Sequence, residues 1–424
     1  MAIPRLRCEI TKLVLCAIAL AIAGCGAGGG VAEAPVYINS PTGQRVEALQ
    51  MSTARADAAA IALRDGRVLI CGGTATGTVG GVLSSAEIYD PATQTLMPTG
   101  GMSVPRMGHT ITILNDGRVL VTGGQRNIGY RTALASAEIY DPSSGTFTPT
   151  ASMSKPREGH TATLLRDGRV LIAGGSTNGI TTSDSAEIYD PVSSTFQPAS
   201  HLTVPREAHV AVLLLSGQVL IAGGGRGGMP GGYISYDTAE MFDPNSSTFR
   251  PINSHMTSDR VGPAAVLLQD GRALIVGGKS GKVLTGGFFG GTRNIASFAP
   301  LNTTDFYDPE SHSFHKGPGM KAPHYLGTAT MLTDGSVIVI GGYRQQGPTV
   351  VGMYDADLYD RNLGIFVHVA PTHVARLEET STLLPNGKVL VAGGIDANSN
   401  ISASIEFYVP TRRIFQLEPE GPTE

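Results

Sequence analysis

Three histidines occupy the same position in consecutive copies of a repeated segment, and their side chains could bind a metal ion. They are His109, His160 and His209, and each follows an arginine by three residues. Zinc requires ligand atoms at about 2.1 Å, whereas equivalent atoms on neighbouring copies lie much farther apart except close to an axis. A feature repeated in successive copies is more typical of architecture. We therefore expect structural histidines, and neither a metal nor another cofactor.

The arginines belong to a longer row, which is matched by a row of acids. One basic residue precedes each copy, at Arg55, Arg106, Arg157, Arg206, Arg260, His324 and Arg376. One acid follows about 30 to 45 residues later, at Glu87, Glu138, Glu187, Glu240, Asp305, Asp357 and Glu406. Equal numbers of opposite charges, one of each per copy, favour a structural belt of ion pairs that links strands. The alternative is a set of substrate-binding arginines.

Motifs of well-known catalytic sites are missing from the sequence. It contains no G-x-S-x-G, no H-E-x-x-H and no phosphate-binding loop. Its glycine pairs follow strand-like runs but precede no helical pattern, so they do not resemble a nucleotide-binding turn. Nucleophilic, zinc-protease and nucleotide chemistry of these types are therefore not indicated.

The elements that must position the two charged rows come from a unit repeated seven times. A glycine pair marks each copy, at Gly72-Gly73, Gly123-Gly124, Gly174-Gly175, Gly223-Gly224, Gly277-Gly278, Gly341-Gly342 and Gly393-Gly394. A period near fifty residues indicates one supersecondary unit stacked on itself. The copies would share one continuous core and form a single domain.

Each unit contains four short strand-like runs. The first two are separated by a pair such as Asp65-Gly66 or Asn386-Gly387, which predicts a two-residue type I′ hairpin turn. The third run carries the acid and then an aromatic residue. The fourth begins at an apolar residue seven positions after that aromatic in every copy, as from Tyr189 to Phe196. The constant offset predicts a rigid turn between the third and fourth strands.

This pattern resembles the kelch repeat, which has a glycine pair and a downstream aromatic, and it covers residues 51–416. The family's usual tryptophan near the fourth strand is replaced by Phe or Leu. The resemblance implies an all-β fold: a seven-bladed β-propeller of four-stranded antiparallel blades, here residues 51–424. Radial packing would let each blade cover its neighbours. Residues 37–55 could supply a strand that clasps the last blade to the first, although the last repeat already has its own fourth strand.

The first residues are typical of an export signal. Arg5, Arg7 and Lys12 precede a short apolar stretch that ends Ile-Ala-Gly-Cys at residues 22–25, too short for a resident membrane helix. This resembles the lipobox of bacterial lipoproteins, which implies removal of residues 1–24 and acylation of Cys25. The alternative is an ordinary secretory signal. Residues 25–50 would be a tether, and Gly26 favours the outer membrane over the inner one by the same resemblance.

Composition limits the remaining partners. The 424 residues carry a formal net charge of −4 without runs of Lys or Arg, so no nucleic-acid partner is indicated. After removal of the signal and acylation of Cys25, Cys71 is the one cysteine left, which precludes an internal disulfide. Its position in the repeat predicts a small buried packing residue.

Variation between copies is concentrated between the second and third strands, where propellers usually carry function. We expect a binding face there for a protein or a glycan at the bacterial cell envelope, with a structureless insertion as the alternative. The candidate residues of this face are Tyr233, Phe288, Phe289, Arg293, His324 and Tyr325.

The alternative function is a carbohydrate-active enzyme, because galactose oxidase and a bacterial sialic-acid mutarotase share this type of propeller. Galactose oxidase implies copper and a Tyr–Cys crosslink, and His324-Tyr325 reverses that family's Tyr-His order. A mutarotase would need only a few acid–base groups at the channel mouth. An enzyme should have an axial pocket with acids, histidines and shifted pKa values. A binding module should have a broad face with exposed aromatic residues.

Overall fold

The computed structural model describes residues 37–39, 45–47, 49–128, 133–179, 181–229, 232–281, 299–346 and 349–417. Within these ranges the chain forms strands, turns and loops, and no helix is long and apolar enough to cross a bilayer. Seven antiparallel sheets of four strands follow one another along the chain. The predicted all-β, seven-bladed propeller is confirmed.

The strands of each blade follow in chain order. They are Ala59–Ala62, Val68–Cys71, Ala86–Asp90 and Thr95–Thr99 in blade one; Thr110–Ile113, Val119–Thr122, Ala137–Asp141 and Thr146–Pro149 in blade two; Thr161–Leu164, Val170–Ala173, Ala186–Asp190 and Thr195–Pro198 in blade three; Val210–Leu213, Val219–Ala222, Ala239–Asp243 and Thr248–Ile252 in blade four; Ala264–Leu267, Ala273–Val276, Thr304–Asp308 and Ser313–Lys316 in blade five; Thr328–Met331, Val337–Ile340, Ala356–Asp360 and Ile365–His368 in blade six; Thr380–Leu383, Val389–Ala392, Ile405–Val409 and Ile414–Gln416 in blade seven.

Four further hairpins lie outside these sheets. They pair Tyr37–Asn39 with Arg45–Glu47, Gly225–Met229 with Gly232–Ser235, Lys279–Ser280 with Ala299–Pro300, and Tyr343–Gln346 with Thr349–Gly352. The last three lie between the second and third strands of blades four, five and six, where the copies differ most in sequence.

The blades close into a ring around an axis lined by their first strands. The first strand of each blade contacts the first strands of both neighbours, and blade seven contacts blade one in the same way. The second strands are fully buried in all seven blades. Seven apolar clusters each combine side chains from two adjacent blades. Burial of apolar surface between blades therefore holds the ring together.

An aromatic pair closes the outer part of most blades. The third-strand aromatic packs against the fourth-strand phenylalanine, as Tyr140 does against Phe147 and Tyr189 against Phe196, with ring centroids 4.7 and 4.8 Å apart. Phenylalanine thus packs where the kelch pattern usually has tryptophan, and the tilted rings contribute beyond their buried area.

The hairpin between the first two strands differs from the predicted type I′ turn. Gly66 has φ of +88°, but Asp65 is not among the residues with positive φ. Gly66 N donates to Leu63 O and Leu63 N donates to Arg67 O, which is a type I turn followed by one left-handed residue. The Asp65 carboxylate accepts a hydrogen bond from Arg67 N at 3.0 Å. This bond favours the type I turn, so only the glycine needs a positive φ.

All four strands of blade seven come from residues 380–416. Tyr37–Asn39 and Arg45–Glu47 pair with each other outside the blades. The following segment runs beside the start of the third strand of blade seven, where Ile405 N donates to Leu49 O and Met51 N donates to Ala403 O. A short backbone ladder within the suggested clasp segment therefore bonds to blade seven, which also has four strands of its own.

Candidate functional site

The structure brings every predicted base and acid of the belt together, and blade three shows the pattern. Arg157 Nη2 lies 2.9 Å from Glu187 Oε1, and both side chains are almost fully buried. Arg157 Nη1 donates to Gly174 O and Ser185 O at 2.7 and 2.8 Å. Ser154 N donates to Glu187 Oε2. The guanidinium thus ties the connection between two blades to the second and third strands.

The other blades repeat this arrangement. Blade six has an imidazole in place of the guanidinium, with His324 Nε2 3.2 Å from Asp357 Oδ2. The remaining pairs are Arg55–Glu87, Arg106–Glu138, Arg206–Glu240, Arg260–Asp305 and Arg376–Glu406. The arginines are committed to these acids and to carbonyl oxygens, which leaves them poorly placed to bind a substrate.

A second ring lies two residues after each belt residue and faces the axis. All seven of its residues have φ between +49° and +59°. The backbone links several of them across blades: Asp57 N donates to Glu378 O at 3.0 Å, and Gly108 N donates to Asp57 O at 3.2 Å. We call this set the axial ring, and it consists of Asp57, Gly108, Gly159, Ala208, Gly262, Leu326 and Glu378.

The axial ring and the residues beside it line a cavity of about 390 Å³, within the usual size range of small-molecule sites. Its lining includes Asp57, Glu378 and Glu379 from blades one and seven, and His109, His160 and His209 from blades two to four. Glu158 and Glu207 also line it. Met107, Ile128, Pro263, Tyr325 and Leu326 supply apolar surface. The lining therefore combines carboxyl and imidazole groups with apolar side chains.

Burial shifts the pKa of its carboxyl groups upward. It raises the pKa of Asp57 to about 7 and that of Glu379 to about 7, the latter opposed by Arg376 and by the hydrogen bond from Thr328. It raises the pKa of Glu378 well above its ordinary value, and the charges of Asp57 and Glu379 add to this rise. Asp57 and Glu378 are half-buried, but their open surface faces the cavity. Asp57 and Glu379 thus titrate near neutral pH.

The three histidines are buried and neutral. Burial, together with the nearby belt arginines, lowers the pKa of His109, His160 and His209 to about 3. Nε2 of His160 lies 3.0 Å from Thr110 Oγ1 and from Thr122 Oγ1. Nδ1 of each of the three rings is buried without a hydrogen-bond partner. One nitrogen of each histidine therefore contacts the scaffold, and the other is buried without a partner.

The residues predicted from the sequence as a binding face lie in different parts of the chain's structure. His324 is 2% exposed and belongs to the belt, whereas Tyr325 is 1% exposed and lines the cavity. Neither lies on an open outer face. Tyr233 belongs to the hairpin strand Gly232–Ser235. Phe288, Phe289, Arg293 and the acylation site Cys25 lie outside the described residues.

The sequence did not lead us to the three cavity acids with raised pKa values, Asp57, Glu378 and Glu379. Asp57 and Glu378 occupy the axial-ring position that is glycine in blades two, three and five. The presence of an acid in two copies, where three others have glycine, was a signal in the sequence that could have identified them. It was overlooked because the first and last copies become neighbours only when the ring closes. Glu379 occupies the repeat position of the three histidines.

An all-β ring of seven four-stranded blades with a polar axial cavity defines the class: a β-propeller. The family model described as the KLHDC2/KLHL20/DRC7 Kelch-repeats domain matches residues 58–278, just over half of the chain. The chain belongs to the kelch-repeat family. It is also similar to Kelch-like protein 7 of Rattus norvegicus and of Mus musculus, with 40% identity over 62 residues. That match spans 15% of this chain and 10% of each relative.

Solved structures share the fold. A fungal alcohol oxidase of the AA5 family, in complex with copper, has a TM-score of 0.63 and 18% identity, over 85% of this chain and 74% of that one. YjhT has a TM-score of 0.57 and 16% identity, over 76% of this chain and 99% of that one. At these sequence identities the similarity shows the fold alone. The chemistry of this chain has to be inferred from the residues of its own site.

The residues described here do not fit a copper centre. No group of three His, Cys, Asp or Glu within the described ranges is arranged to hold a metal ion. Cys71 is buried with Sγ 3.5 Å from His109 Nε2, and burial raises the pKa of its thiol to about 12. The nitrogens that approach partners in His160 and His209 meet threonine hydroxyls.

Proposed function

We propose that this protein is a glycan-binding propeller of the bacterial cell envelope and that a saccharide unit occupies its axial cavity. The cavity is the observation that carries the proposal. Tyr325 and Leu326 offer an apolar surface for the C–H face of a sugar ring, while the carboxyl groups of the cavity offer partners for its hydroxyls. Sites of this kind combine apolar walls with a few placed polar groups.

A steric substitution tests the location of the site. Leu326 shows that the axial ring accepts a leucine at positive φ, so Ala208→Leu should fold and occupy the cavity. We expect the full chain, purified in detergent, to bind saccharides on a glycan array and in saturation-transfer NMR, and Ala208→Leu to lose this binding. Val192→Leu, at a residue that is 94% exposed, is the matched control. Wild-type protein that binds no glycan, or Ala208→Leu that binds as well as wild type, would contradict the proposal.

Attachment to the membrane through acylated Cys25 is the second part of the proposal, and it rests on the sequence at residues 22–25. Two or more acyl chains are sufficient for stable anchoring. Cells expressing the wild-type chain should incorporate labelled palmitate into the protein and retain it in the outer-membrane fraction. Cys25→Ser should lose both the label and the retention. Label that persists in Cys25→Ser would contradict lipidation at this residue.

A sugar mutarotase or epimerase is the second candidate, favoured by the raised pKa values of Asp57, Glu378 and Glu379. Carboxyl groups that titrate near pH 7 are suited to general acid–base catalysis. Polarimetry of freshly dissolved sugars would test this function. Wild-type protein should accelerate anomer interconversion, and Glu378→Gln should remove the acceleration. A rate equal to that of buffer with every sugar tested would exclude this candidate for those sugars.

A further inference from the structure

The charge of the axial cavity has one sign. Five carboxyl groups line it, from Asp57, Glu158, Glu207, Glu378 and Glu379, and no Lys or Arg is among the described lining residues. The arginines two residues before Asp57 and Glu378 in the chain are paired with acids of the belt. When Asp57, Glu378 and Glu379 ionise, the cavity therefore favours a cation over a neutral or anionic ligand.

Two acceptor atoms in this cavity have no partner. Glu378 Oε2 and Glu379 Oε2 are buried without a hydrogen bond, and Glu379 is only 6% exposed. Its other oxygen, Oε1, accepts a weak hydrogen bond from Thr328. A buried carboxylate with an open acceptor position is costly unless a proton or a cation neutralises it. The protein itself supplies no such cation among the described lining residues.

The backbone beneath two of these acids is strained. Asp57 and Glu378 have φ of +52° and +58°, a region that disfavours side chains and that glycine occupies in three other blades. Side chains held in such a conformation occur preferentially at functional sites. Their neighbouring positions follow from ring closure, which bonds Asp57 N to Glu378 O. Two independent features, strain and an unpartnered buried acceptor, thus coincide in one sector of the cavity.

We propose that the cavity takes an amino sugar, a saccharide with a free ammonium group, and that Asp57, Glu378 and Glu379 hold this ammonium. The inference rests on the proposed saccharide function and specifies its ligand. An ammonium has three donors, and the three carboxyl groups offer acceptors. The sugar ring then lies toward Tyr325 and Leu326.

The other titratable groups of the cavity leave this assignment intact. His109, His160 and His209 have pKa values lowered to about 3 by burial, so they do not become competing cations above pH 5. Glu158 and Glu207 add to the acidic lining. The pKa values of Asp57 and Glu379 are about 7. An ammonium that enters at pH 7 should therefore release protons from these carboxyl groups.

Calorimetry with three closely related sugars tests the proposal. The full chain in detergent is titrated at pH 7 with glucosamine, glucose and N-acetylglucosamine. We expect glucosamine to bind about tenfold more tightly than the other two, or better. Titrations in buffers of different ionisation enthalpy should show net proton release with glucosamine and none with glucose. Equal affinity for all three sugars, or glucosamine binding without proton release, would overturn the ammonium assignment and leave saccharide binding intact.

Variants separate the two proposals. Glu378→Gln and Glu379→Gln should lose the preference for glucosamine while keeping their affinity for glucose. Glu310→Gln, at an exposed turn of blade five, is the control and should bind as wild type does. A retained preference for glucosamine in both cavity variants would overturn the assignment of the ammonium to these acids. If wild-type protein binds none of the three sugars and no glycan on the array, the saccharide function itself fails, and this inference fails with it.

Discussion

The ion-pair belt and the axial cavity lie two or three residues apart in the chain, and both place acids out of bulk solvent. The two regions differ in whether those acids have hydrogen-bond partners. In the belt, Glu187 meets the guanidinium of Arg157 with one oxygen and the amide of Ser154 with the other. In the cavity, Glu379 has one oxygen without any partner. Pairing makes the first acid a structural element, and its absence leaves the second open to a ligand.

The two regions also differ in how uniform they are around the ring. The belt has a histidine in blade six and an arginine in each of the other six blades, always facing an acid. The axial ring has glycine in three blades, Ala208 and Leu326 in two, and an acid in blades one and seven. A requirement shared by every blade produces the same residue in every copy. A ligand without sevenfold symmetry requires residues that differ between copies.

The largest effect should come from breaking the belt. Glu187→Ala leaves the buried guanidinium of Arg157 without its carboxylate, and such stranded charges cost about 3–5 kcal/mol. We expect a clear drop in the free energy of unfolding, measured by chemical denaturation at pH 7. A stability equal to that of wild type would show that the belt is not a structural element.

The next effect should come from neutralising a cavity acid. A raised pKa favours the protonated folded state, so Glu379 contributes stability that is present below pH 4.5 and lost as the pH rises through about 7. Glu379→Gln cannot ionise and should gain about 2–3 kcal/mol relative to wild type between pH 5 and pH 8. Denaturation curves at both pH values test this difference. A gain that does not depend on pH would contradict an ionising carboxyl group here.

The histidines should change the free energy of unfolding with pH in the opposite direction, and by a smaller amount. Burial lowers the pKa of His160 to about 3, so its contribution is present above about pH 6.5 and lost as the pH falls. Between pH 7 and pH 5, His160→Gln should lose about 1–2 kcal/mol less than wild type. His201→Gln changes a 64% exposed side chain and serves as the control. Equal losses in wild type and in His160→Gln would contradict a neutral buried imidazole.

The smallest effect on stability is expected at an ion pair on the protein surface, outside both the belt and the cavity. Asp167 pairs with Arg169 at the hairpin turn of blade three, where both side chains are more than one third exposed. Exposed pairs contribute about 0–1 kcal/mol, and Asp167 also accepts the amide of Arg169. Asp167→Ala should therefore cost about 1 kcal/mol or less in the same denaturation assay. A loss as large as that of Glu187→Ala would show that burial does not distinguish the belt from surface pairs.

Local repetition explains why so much of the fold was predictable. The glycine pairs, the Asp-Gly turns and the constant offset from Tyr189 to Phe196 are contained within one unit, and seven copies of the same pattern leave few alternatives. The turn type was wrong because the Asp65 side chain accepts the amide of Arg67. Within the suggested clasp segment, residues 49–51 pair with the start of the third strand of blade seven, which already has four strands.

The amino-acid sequence by itself determined the blade, the number of blades and the partners within the belt, because these depend on spacing inside one repeat. The tertiary structure decided which copies meet. Asp57 and Glu378 are more than 300 residues apart in the chain, and closure of the ring places them side by side at the axis. There the surrounding blades withdraw the acids from bulk water, raise their pKa values and leave an oxygen of Glu378 without a partner. Burial and closure are properties of the whole ring, which no single repeat encodes.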